Sequence, residues 1–508
     1  MMAINKHKDS VLLGDLINVA GQRCAMIELS GIESDSRKIV AGNVFLAIVG
    51  HALDGRDYIA RAVANGAVAI LVEQGGAWTA NSEWQGVPVI AVDNLTARIS
   101  EIAGRFYGHP SRELSLVGVT GTNGKTSCTQ LYMQLVNLLG MSCGLIGTLG
   151  AGVDGRLDEG LNTTPDAISV QRVLAEWRYS QLSIAAMEVS SHGLEQGRVA
   201  DVQFDLALFT NLSRDHLDYH GSMMAYGEAK SRLFQQPGLK RAVINIDDHF
   251  GCTLVDVVPD TVSVIRYGIE KDALTHHSAN VWVESVEFHQ SGVVAQLHSP
   301  WGIVEINSPL LGAFNLSNLV AVICCLGLQG FSLSSVAGVI PRLVTVPGRM
   351  ERIVSTADIT VVIDYAHTPD GLEKALLAMR QHTRGNLWCV FGCGGNRDHG
   401  KRPLMGELVQ RYADHVVVTS DNPRNEPASE IIDEILGGVE MPAMVEEDRA
   451  TAIQFAIANA SAGDCVLIAG KGHEVYQVIG DRRIPFSDIK QARLALANRV
   501  NAVGGISR

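Results

Sequence analysis

The sequence predicts an α/β protein of three domains. These are a small α/β domain, a central domain that combines a mostly parallel sheet with an antiparallel subdomain, and a doubly wound C-terminal domain. Short apolar runs of the kind that form buried strands alternate with helical patterns along most of the chain. Breaks rich in Gly and Pro at 108–110 and 347–348 divide it into residues 1–110, 111–346 and 347–508. A chain of 508 residues, 46% of them hydrophobic, is long enough for several such cores.

The predicted elements follow a different order in each unit. In the first unit, strands are expected at 44–49, 67–72 and 87–92, with helices at 12–19, 58–64 and 96–107, the last capped by Thr96. In the second, strands at 116–119, 143–146, 184–189, 206–210 and 242–246 accompany helices at 125–139 and 315–328, and 262–306 alternates as an antiparallel subdomain does. In the third, strands at 359–364, 387–391, 415–419 and 465–469 alternate with helices at 372–380, 404–412, 429–436 and 450–460.

Charge and cysteine content exclude several classes of protein. The formal net charge is −13 and no run rich in Lys or Arg occurs, so nucleic acid is not expected as a partner. The nine cysteines are scattered and form no C-x-x-C pair, which indicates reduced thiols rather than disulfides or a zinc site. No apolar run reaches membrane-spanning length. We therefore expect a soluble cytoplasmic protein that does not insert into membranes.

A glycine-rich turn between a strand and a helix is the strongest functional signal. Residues 115–127 read SLVGVTGTNGKTS, with an apolar strand before the turn and a helical pattern from Lys125 onward. Backbone N–H groups and a helix N-terminus at such a turn form a phosphate cradle. Lys125 would contact the terminal phosphates and the Thr126 hydroxyl would bind Mg²⁺. The glycine spacing differs from that of the common P-loop, so a plain strand–turn–helix with incidental glycines is the alternative.

Acidic and imidazole side chains follow two other strands of the central unit. Glu188 ends an apolar strand, where phosphate-loop enzymes often hold Mg²⁺, although a solvent-facing glutamate is equally compatible with the pattern. Residues 210–220 contain two aspartates together with His216 and His220. The spacing of the two histidines would suit zinc on one helix face, whereas Mg²⁺ prefers oxygen ligands. A merely solvated loop is the remaining interpretation of this segment.

Four strands of the third unit end in polar loops rich in Gly or Pro. Ligands bind at the carboxyl ends of strands in open α/β sheets, so this concentration predicts a site. Arg349, Arg397 and Arg424 would bind carboxylate or phosphate with two parallel hydrogen bonds. In the central unit, Asn315 and Asn318 share one face at a helix start, although Asn315 would serve equally well as a plain N-cap.

Together these motifs resemble the Mur ligases, the ATP-dependent amide-forming enzymes of peptidoglycan assembly. The matching stretches are GTNGKT at 121–126, AMEVSSHG at 186–193, TNLSRDHLDYH at 210–220 and DYAHTP at 364–369. They span nearly the whole chain in the family's order. The resemblance implies a P-loop ATPase-like central domain and a Rossmann-like C-terminal domain. DNPR at 421–424 resembles the members that add meso-diaminopimelate, because lysine-adding members lack the arginine found here as Arg424.

The resemblance also implies a role for each matched residue. Lys230, which the pattern alone would place on an exposed helix face, matches the family's carbamylated lysine; the carbamate turns a cation into an anionic oxygen ligand. By the resemblance, His367 matches a position that contacts ATP; the second reaction step also makes it a candidate for the base that accepts a proton from the incoming amine. The implied catalytic residues are Lys125, Glu188, His216, Lys230 and His367. The implied ATP site comprises Gly121, Thr122, Asn123, Gly124, Lys125, Thr126, Ser127, Asn315, Arg349 and Asp364, and Mg²⁺ would be held by Thr126, Glu188, His216 and carbamylated Lys230. A UDP-muramoyl-dipeptide site would use Ser34, Ser36, His51, Ala52, Leu53, Asn162, Thr163, Thr164, Ser190, Gln196 and Arg198. A diaminopimelate site would use Arg397, Asp421, Asn422, Pro423, Arg424, Gly470 and Glu474.

The reaction implied by the resemblance is ATP-dependent joining of meso-diaminopimelate to the D-Glu side chain of UDP-N-acetylmuramoyl-L-alanyl-D-glutamate. Residues 1–110 would bind the UDP-sugar, 111–346 ATP and 347–508 the amino acid. We expect a monomer in which the third unit closes over the second. A lysine-adding ligase and a folylpolyglutamate-synthase-like ligase remain alternatives, although the latter usually has Gly-Lys-Gly-Ser where this chain has Gly-Lys-Thr-Ser. A nucleotide switch without chemistry is a further alternative, but it needs no second substrate pocket.

Overall fold

Three sheets, each built from a different part of the chain, organise the fold of the computed structural model. The structure describes residues 11–18, 21–50, 53–158, 162–269, 279–289 and 291–504. Two small two-stranded sheets accompany the three larger ones. Among the helices of these residues, none is long and apolar enough to cross a membrane.

The N-terminal sheet has five strands in the order β3-β4-β5-β7-β6. All neighbours are parallel except the edge strand β6, which runs antiparallel to β7. The inner strands are buried because helices cover the sheet, as parallel strands require. The strands are β1 (Val11–Leu12), β2 (Glu28–Leu29), β3 (Gly31–Glu33), β4 (Asn43–Ala47), β5 (Ala69–Glu73), β6 (Ser82–Trp84) and β7 (Val87–Val92), and the helices are α1 (Leu13–Leu16), α2 (Gln22–Ala25), α3 (Ile59–Ala64) and α4 (Leu95–Tyr107).

The central sheet has eleven strands, and its parallel part positions the glycine-rich turn. Strand β8 lies between β12 and β13, so the carboxyl ends of these three strands meet at one edge. The strands are β8 (Ser115–Thr120), β9 (Gly144–Gly147), β10 (Gly150–Val153), β11 (Arg156–Asp158), β12 (Ile184–Glu188), β13 (Leu206–Phe209), β14 (Arg241–Asn245), β15 (Ser263–Gly268), β16 (Val281–His289), β17 (Gly292–Ser299) and β18 (Gly302–Ser308). The helices are α5 (Lys125–Leu138), α6 (Ala167–Tyr179), α7 (Ser191–Glu195), α8 (Leu217–His220), α9 (Met223–Ser231), α10 (His249–Val255), α11 (Ala313–Leu328) and α12 (Leu333–Val339).

The alternating stretch at 262–306 is not separate from this sheet. Strand β15 pairs in parallel with β14 and with β16, and only β16, β17 and β18 form an antiparallel ribbon. The ribbon therefore extends the parallel sheet, and the apolar helix α11 packs in the same hydrophobic core as its inward-facing side chains.

The C-terminal sheet has six strands in the order β19-β20-β24-β21-β22-β23. All pairs are parallel except that of the edge strand β19 with β20. The strands are β19 (Glu351–Arg352), β20 (Thr360–Asp364), β21 (Leu387–Phe391), β22 (His415–Thr419), β23 (Met444–Glu446) and β24 (Cys465–Ala469), followed by a separate hairpin of β25 (Tyr476–Ile479) and β26 (Arg482–Pro485). The helices are α13 (Pro369–His382), α14 (Lys401–Tyr412), α15 (Ala428–Leu436), α16 (Arg449–Asn459) and α17 (Asp488–Gly504).

Side-chain contacts join neighbouring units. Arg172 of α6 pairs with Glu33 of β3 at 3.1 Å, and His109, in the segment predicted as a linker, contacts Asp201 at 2.8 Å. At the junction of the central and third units, the buried imidazole of His382 in α13 makes two hydrogen bonds to the central unit. Its Nε2 accepts a hydrogen bond from the Gly312 N–H at 2.8 Å, and its Nδ1 lies 2.7 Å from the His289 carbonyl.

Candidate active site

The glycine-rich turn has, at two of its positions, a backbone conformation that strongly favours glycine. Gly121 and Gly124 have φ angles of +149° and +87°. A Cβ at Gly121 would lie 1.9 Å from Thr210 Oγ1, and one at Gly124 would lie 2.5 Å from Asn318 Oδ1. Helix α5 begins directly after Gly124, so its first N–H groups border the turn. The strand–turn–helix predicted from sequence is confirmed, and the close packing shows that its glycines are not incidental.

Two lysines converge on this turn. Lys125 Nζ donates to the Gly121 carbonyl at 2.8 Å and to the Thr122 carbonyl at 2.9 Å, and Lys230 Nζ donates to the same Gly121 carbonyl at 2.8 Å. Lys230 is 1% exposed, so its interpretation as an exposed helix lysine is wrong. Burial and the nearby Lys125 lower the pKa of Lys230 well below the usual value, while Asp215 opposes that shift. Burial also lowers the pKa of Lys125.

Glu188 lies beside the start of α5 and is 1% exposed, which rules out the solvent-facing alternative. Its Oε2 accepts hydrogen bonds from Thr126 Oγ1 at 3.0 Å and from Thr148 Oγ1 at 3.1 Å, and its Oε1 accepts one from the Thr148 N–H at 2.9 Å. Burial raises the pKa of Glu188, whereas Lys125 and these hydrogen bonds act in the opposite direction. The carboxylate at the end of β12 and the turn that follows β8 therefore lie at the same edge of the central sheet.

The donor set around Thr126 fits a hard divalent cation. A hydroxyl and a carboxylate 3.0 Å apart are the oxygen ligands that Mg²⁺ prefers. Within the described ranges, no group of three or more His, Cys, Asp or Glu side chains could hold a metal. His216 is the N-cap residue of α8 at a φ of +53°, and His220 ends that four-residue helix. Among the described residues, no third His, Cys, Asp or Glu side chain is placed to complete a zinc site with this pair. The zinc interpretation is therefore wrong for this pair.

His216 belongs instead to a cluster of aromatic and imidazole rings next to the turn. Its ring centroid lies 5.0 Å from that of His192 and 6.0 Å from that of Tyr226, and its side chain is 47% exposed. Tyr226 reaches the turn directly, because its hydroxyl lies 3.2 Å from Thr122 Oγ1. His216 thus approaches the turn from the side of α8 and α9, and its nearest carboxylate is Asp215, at 3.5 Å.

Five of the residues predicted to bind the UDP-linked substrate form one hydrogen-bonded group. Thr164 Oγ1 donates to the Glu188 carbonyl at 2.9 Å and lies 3.1 Å from Ser190 Oγ. Arg198 Nη1 donates to the Thr164 carbonyl at 2.6 Å, and its Nη2 donates to Gln196 Oε1 at 2.6 Å. Thr163 joins the group through Thr148, since their hydroxyls are 3.0 Å apart. The group is therefore continuous with Glu188.

None of the other described residues predicted for this substrate, in the first unit or at Asn162, is hydrogen-bonded to that group. Ser36 is buried, and its carbonyl accepts a hydrogen bond from Asn65 Nδ2 at 2.9 Å within the same unit. Leu53 is 67% exposed, whereas His51 and Ala52 fall outside the described residues. Ser34 is half-buried and Asn162 is exposed. Glu33, the residue before Ser34, pairs with Arg172 of α6, so this edge of the N-terminal sheet contacts α6.

A narrow cleft beside α5 brings together residues from two units. Asn315 is buried and donates from Nδ2 to the Leu311 carbonyl at 2.8 Å; Gly312 occupies the N-cap position of α11, so the plain N-cap interpretation of Asn315 is wrong. Arg349 lies over the ring of Tyr365 at 4.6 Å. The cleft is lined by Ser127, Leu131, Leu310, Asn315, Thr345, Val346 and Arg349.

Asp364 fixes the chain at the start of the third unit. It ends β20, and its carboxylate accepts hydrogen bonds from the N–H groups of Met350 and Ala366, both at 2.8 Å. Burial raises the pKa of Asp364, while Arg349 opposes the shift. His367, three residues further along, has an exposed side chain whose Nδ1 lies 2.8 Å from the Tyr365 carbonyl. Arg349 precedes β19, whereas Asp364 and His367 lie at the end of β20 and in its connection to α13. That connection adjoins the glycine-rich turn, because Asp370 at the start of α13 accepts a hydrogen bond from Asn123.

The carboxyl ends of β21, β22 and β24 bring together a second group of polar side chains, called the second pocket below, at the edge where the sequence predicts a ligand site. Arg424, at a φ of +54°, donates from Nη1 to the Gly395 carbonyl at 2.7 Å. A Cβ at Gly394 would lie 2.8 Å from Arg424 Nη1 and 3.8 Å from Arg397 Cγ, so both arginines border Gly394. Asn422 Nδ2 donates to Glu474 Oε2 at 2.8 Å. Asp421, Pro423 and Gly470 complete the rim, since a Cβ at Gly470 would lie 2.6 Å from Asp421 Oδ2.

Three residues of these sites escaped the sequence analysis. Thr148 binds Glu188, Asp370 accepts a hydrogen bond from Asn123 Nδ2 at 3.0 Å, and Lys471 is completely buried in the second pocket. Asp370 and Lys471 lie within the polar strand-end loops or directly after them, so their position was a usable signal. Thr148 follows strand β9, which ends in a glycine and has no polar side chain, and it carries no comparable signal.

Comparisons with known proteins agree with this arrangement. Family models match in three places: the Mur ligase middle domain at residues 119–326, the Mur ligase glutamate ligase domain at 348–472, and the Mur ligase family catalytic domain at 28–107. A UDP-N-acetylmuramoyl-L-alanyl-D-glutamate–2,6-diaminopimelate ligase of Ectopseudomonas mendocina (strain ymp) is 50% identical over 465 residues, 91% of this chain and 94% of that protein. The ligase of the same name from Chromobacterium violaceum is 46% identical over 474 residues, 92% of this chain and 94% of the relative.

Solved structures show the same similarity. One of a UDP-N-acetylmuramoyl-L-alanyl-D-glutamate–2,6-diaminopimelate ligase aligns with a TM-score of 0.73 at 34% identity and covers 97% of this chain and 100% of its own. The MurF ligase from Thermotoga maritima in complex with ADP aligns with a TM-score of 0.63 at 18% identity, over 93% of this chain and 98% of its own. The latter likeness is one of fold alone.

Proposed function

This chain belongs to the Mur ligase family, and on that premise we propose that it joins meso-diaminopimelate to the D-Glu γ-carboxylate of UDP-N-acetylmuramoyl-L-alanyl-D-glutamate, with ATP converted to ADP and phosphate. Members of this family are ATP-dependent ligases that form amide bonds, so the chain is an enzyme of that class. The product is a precursor of peptidoglycan, and the reaction is proposed to occur in the cytoplasm.

The observation that carries the proposal is a hydrogen bond that joins the two groups of candidate-site residues. The Asp364 carbonyl accepts a hydrogen bond from the Gly470 N–H at 3.1 Å, which links the connection facing the glycine-rich turn to the pocket of Asn422, Arg424 and Glu474. A ligase must bring an activated carboxylate to an amine, and two adjoining pockets meet that need. A nucleotide switch would need only the glycine-rich turn and the cleft beside α5.

In the first step, the D-Glu carboxylate attacks the γ-phosphorus of ATP, and ADP leaves with the electrons of the broken P–O bond. Lys125 and the N–H groups at the start of α5 would neutralise the negative charge of the phosphates. Thr126 and Glu188 would hold Mg²⁺, which supplies charge neutralisation for the phosphate oxygens when bound. Carbamylated Lys230 and His216 are proposed as further ligands. Asn315 and Arg349, which line the cleft beside α5, would contact the nucleotide.

In the second step, the amine of diaminopimelate attacks the acyl carbon of the resulting acyl phosphate and phosphate leaves. The amine must lose a proton, and His367 is the proposed acceptor, since its side chain is exposed on the connection between the two pockets. Arg424 would bind the distal carboxylate of diaminopimelate, and Glu474 would bind the distal ammonium group. Lysine lacks that carboxylate, which is the physical basis for choosing between the two amino acids.

Phosphate release from ATP tests this function directly. Purified protein should release phosphate only when the UDP-muramoyl dipeptide and an amino acid are both present, and faster with meso-diaminopimelate than with lysine. Mass spectrometry should then detect the UDP-muramoyl tripeptide. Faster release with lysine would identify a lysine-adding ligase, and release that needs neither substrate would favour the switch.

A further inference from the structure

Lys471 is a cation buried in the second pocket, and no step of the reaction above uses it. Its side chain is 0% exposed. The ammonium group donates to Asn422 Oδ1 at 2.9 Å and to Glu474 Oε2 at 2.8 Å. A buried ammonium is unfavourable unless it is paired and hydrogen-bonded, so these two contacts explain how the pocket retains it.

The ammonium group and the Val478 N–H together determine which way the Asn422 amide faces. An ammonium has only donors, and so has the Val478 N–H, which also points at Asn422 Oδ1 from 2.9 Å. The atom that faces both donors must therefore be the amide oxygen. The NH₂ group is left to face Glu474, to which it donates one hydrogen bond at 2.8 Å. One N–H of Asn422 then remains for another acceptor.

The same contacts determine which oxygen of Glu474 is available. Oε2 accepts from both Lys471 and Asn422. For Oε1, the described residues provide no recorded hydrogen bond, and the Glu474 side chain is 18% exposed. Lys471 thus leaves the pocket with a donor at Asn422 and an acceptor at Glu474, beside the guanidinium of Arg424. An amino-acid head group, with one carboxylate and one ammonium, has the complementary pattern.

We propose that Lys471 is a positioning residue for amino-acid selection, which fixes the Asn422 amide and Glu474 so that together they bind the distal head group of the incoming amino acid. This inference rests on the proposed function. Lys471 touches no reacting atom in this role, so its removal should affect binding of the amino acid more than turnover.

The test measures phosphate release at varied diaminopimelate concentration in Lys471→Met, with Lys490→Met as the matched control, because Lys490 is an exposed lysine of the same unit. We expect Lys471→Met to raise KM for diaminopimelate at least tenfold, with kcat and the KM for ATP within about twofold of the wild type. The control should leave all three unchanged. An unchanged KM for diaminopimelate in Lys471→Met would overturn the inference.

A double-variant cycle separates positioning from general damage. If Lys471 acts by orienting Asn422 and Glu474, then Lys471→Met should raise KM less in the Asn422→Ala background than in the wild type, because one of the two groups that it positions is already absent. Fold-losses that multiply in the double variant would contradict this. A wild type without diaminopimelate-dependent release would instead refute the proposed function.

Should Lys471→Met fail to fold because Glu474 is left buried without its cation, Glu474→Gln and Lys471→Met/Glu474→Gln replace it. Removal of the charge leaves no unpaired anion in either variant. The double variant should have a KM for diaminopimelate several-fold above that of Glu474→Gln alone, since the Asn422 amide has lost one of the two donors that hold its oxygen. Equal KM values would overturn the inference.

Discussion

Lys125 and Lys230 donate to one and the same carbonyl, that of Gly121, each at 2.8 Å. Two ammonium groups that share an acceptor repel each other, and burial lowers the pKa of both lysines. Conversion of Lys230 to a carbamate would replace this repulsion with an attraction between Lys125 and an anion. It would also supply oxygen ligands beside Thr126 and Glu188.

We therefore predict that Lys230 is carbamylated in the active enzyme. A neutral amine is the form that reacts with CO₂, and burial of Lys230 favours that form. Activity in CO₂-depleted buffer should fall and return when bicarbonate is added, and ¹³C NMR with labelled bicarbonate should reveal one carbamate carbon. Lys230→Arg should be inactive with or without bicarbonate. Full activity of the wild type in CO₂-free buffer would contradict the prediction.

Arg424 should determine the choice of amino acid. It is held by the Gly395 carbonyl and by main-chain hydrogen bonds to Val478 and Gly480, so its guanidinium is fixed at the pocket rim. Loss of a charge-assisted pair costs on the order of 2–3 kcal/mol, which corresponds to a KM for diaminopimelate roughly 30- to 150-fold higher in Arg424→Ala. Steady-state kinetics with both amino acids would measure this.

The control for Arg424 is lysine as substrate. Because lysine has no distal carboxylate, its KM should change little in Arg424→Ala, and the preference for diaminopimelate should shrink accordingly. A preference over lysine equal to that of the wild type would show that another group reads the carboxylate. Arg424→Lys should recover only part of the loss, since an ammonium cannot form two parallel hydrogen bonds with a carboxylate.

Asp370 should couple the third unit to the glycine-rich turn. Its Oδ2 accepts hydrogen bonds from Asn123 Nδ2 at 3.0 Å and from Ser213 Oγ at 3.1 Å, and it pairs with Lys374 on its own helix. Each hydrogen bond contributes about 0.5–1.5 kcal/mol, so Asp370→Ala should raise KM for ATP on the order of tenfold. Lys374→Ala, which removes only the exposed pair, is the matched control and should change KM little.

The hydrogen bonds of Asp370 to Asn123 and Ser213 should also affect how the third unit closes over the second. We expect X-ray scattering to report a smaller radius of gyration for the fully liganded protein than for the ligand-free protein, and a larger difference between the two in Asp370→Ala. The contact already present without ligand limits how far the ligand-free wild type can open. Superimposable scattering curves with and without ligands would refute closure.

Much of the fold could be predicted from continuous apolar runs. Strands β21, β22 and β24 begin and end where predicted, because each is a five-residue run buried on both faces and followed by a polar loop. The helix expected at 96–107 begins at Leu95 instead, because Thr96 donates its hydroxyl to Glu73 and Asn94 takes the N-cap position. The antiparallel prediction for 262–306 failed at β15, whose pairing is set by its neighbour β14.

The candidate site was predictable where local sequence determines conformation and was not where distant residues meet. The conformation of the glycine-rich turn was predictable from its own residues, since Gly121 and Gly124 have positive φ. The hydrogen bonds of Thr148 and Asp370 join residues 40 and 247 positions apart in the chain, and no local pattern encodes such pairs. Lys471 looks like a loop lysine in the sequence and becomes a buried cation only because Asn422 and Glu474 converge on it.

His382 should make the junction between the central and third units sensitive to acid. Its Nε2 accepts the Gly312 N–H, so Nδ1 must carry the proton that is donated to the His289 carbonyl; only the neutral imidazole makes both bonds. Burial lowers the pKa of His382 from its usual 6.5; the hydrogen bond to the His289 carbonyl opposes this shift, and the charge of the His289 side chain adds a smaller lowering. The unfolded chain therefore binds a proton at a higher pH than the folded chain does.

The sign of the effect follows from that difference. The contribution of His382 is complete above about pH 6.5 and is lost as the pH falls below that value towards the lower folded-state pKa. In His382→Leu the Gly312 N–H stays buried without a partner, which costs about 1–3 kcal/mol at pH 7.5. Urea unfolding should show that the difference in the free energy of unfolding between wild type and His382→Leu becomes smaller from pH 7.5 to pH 5.

His382→Gln, which retains an acceptor and cannot titrate, should have a free energy of unfolding between those two at pH 7.5, and this free energy should vary less with pH than that of the wild type. A gap between wild type and His382→Leu that stays constant over this range would contradict the assigned neutral state.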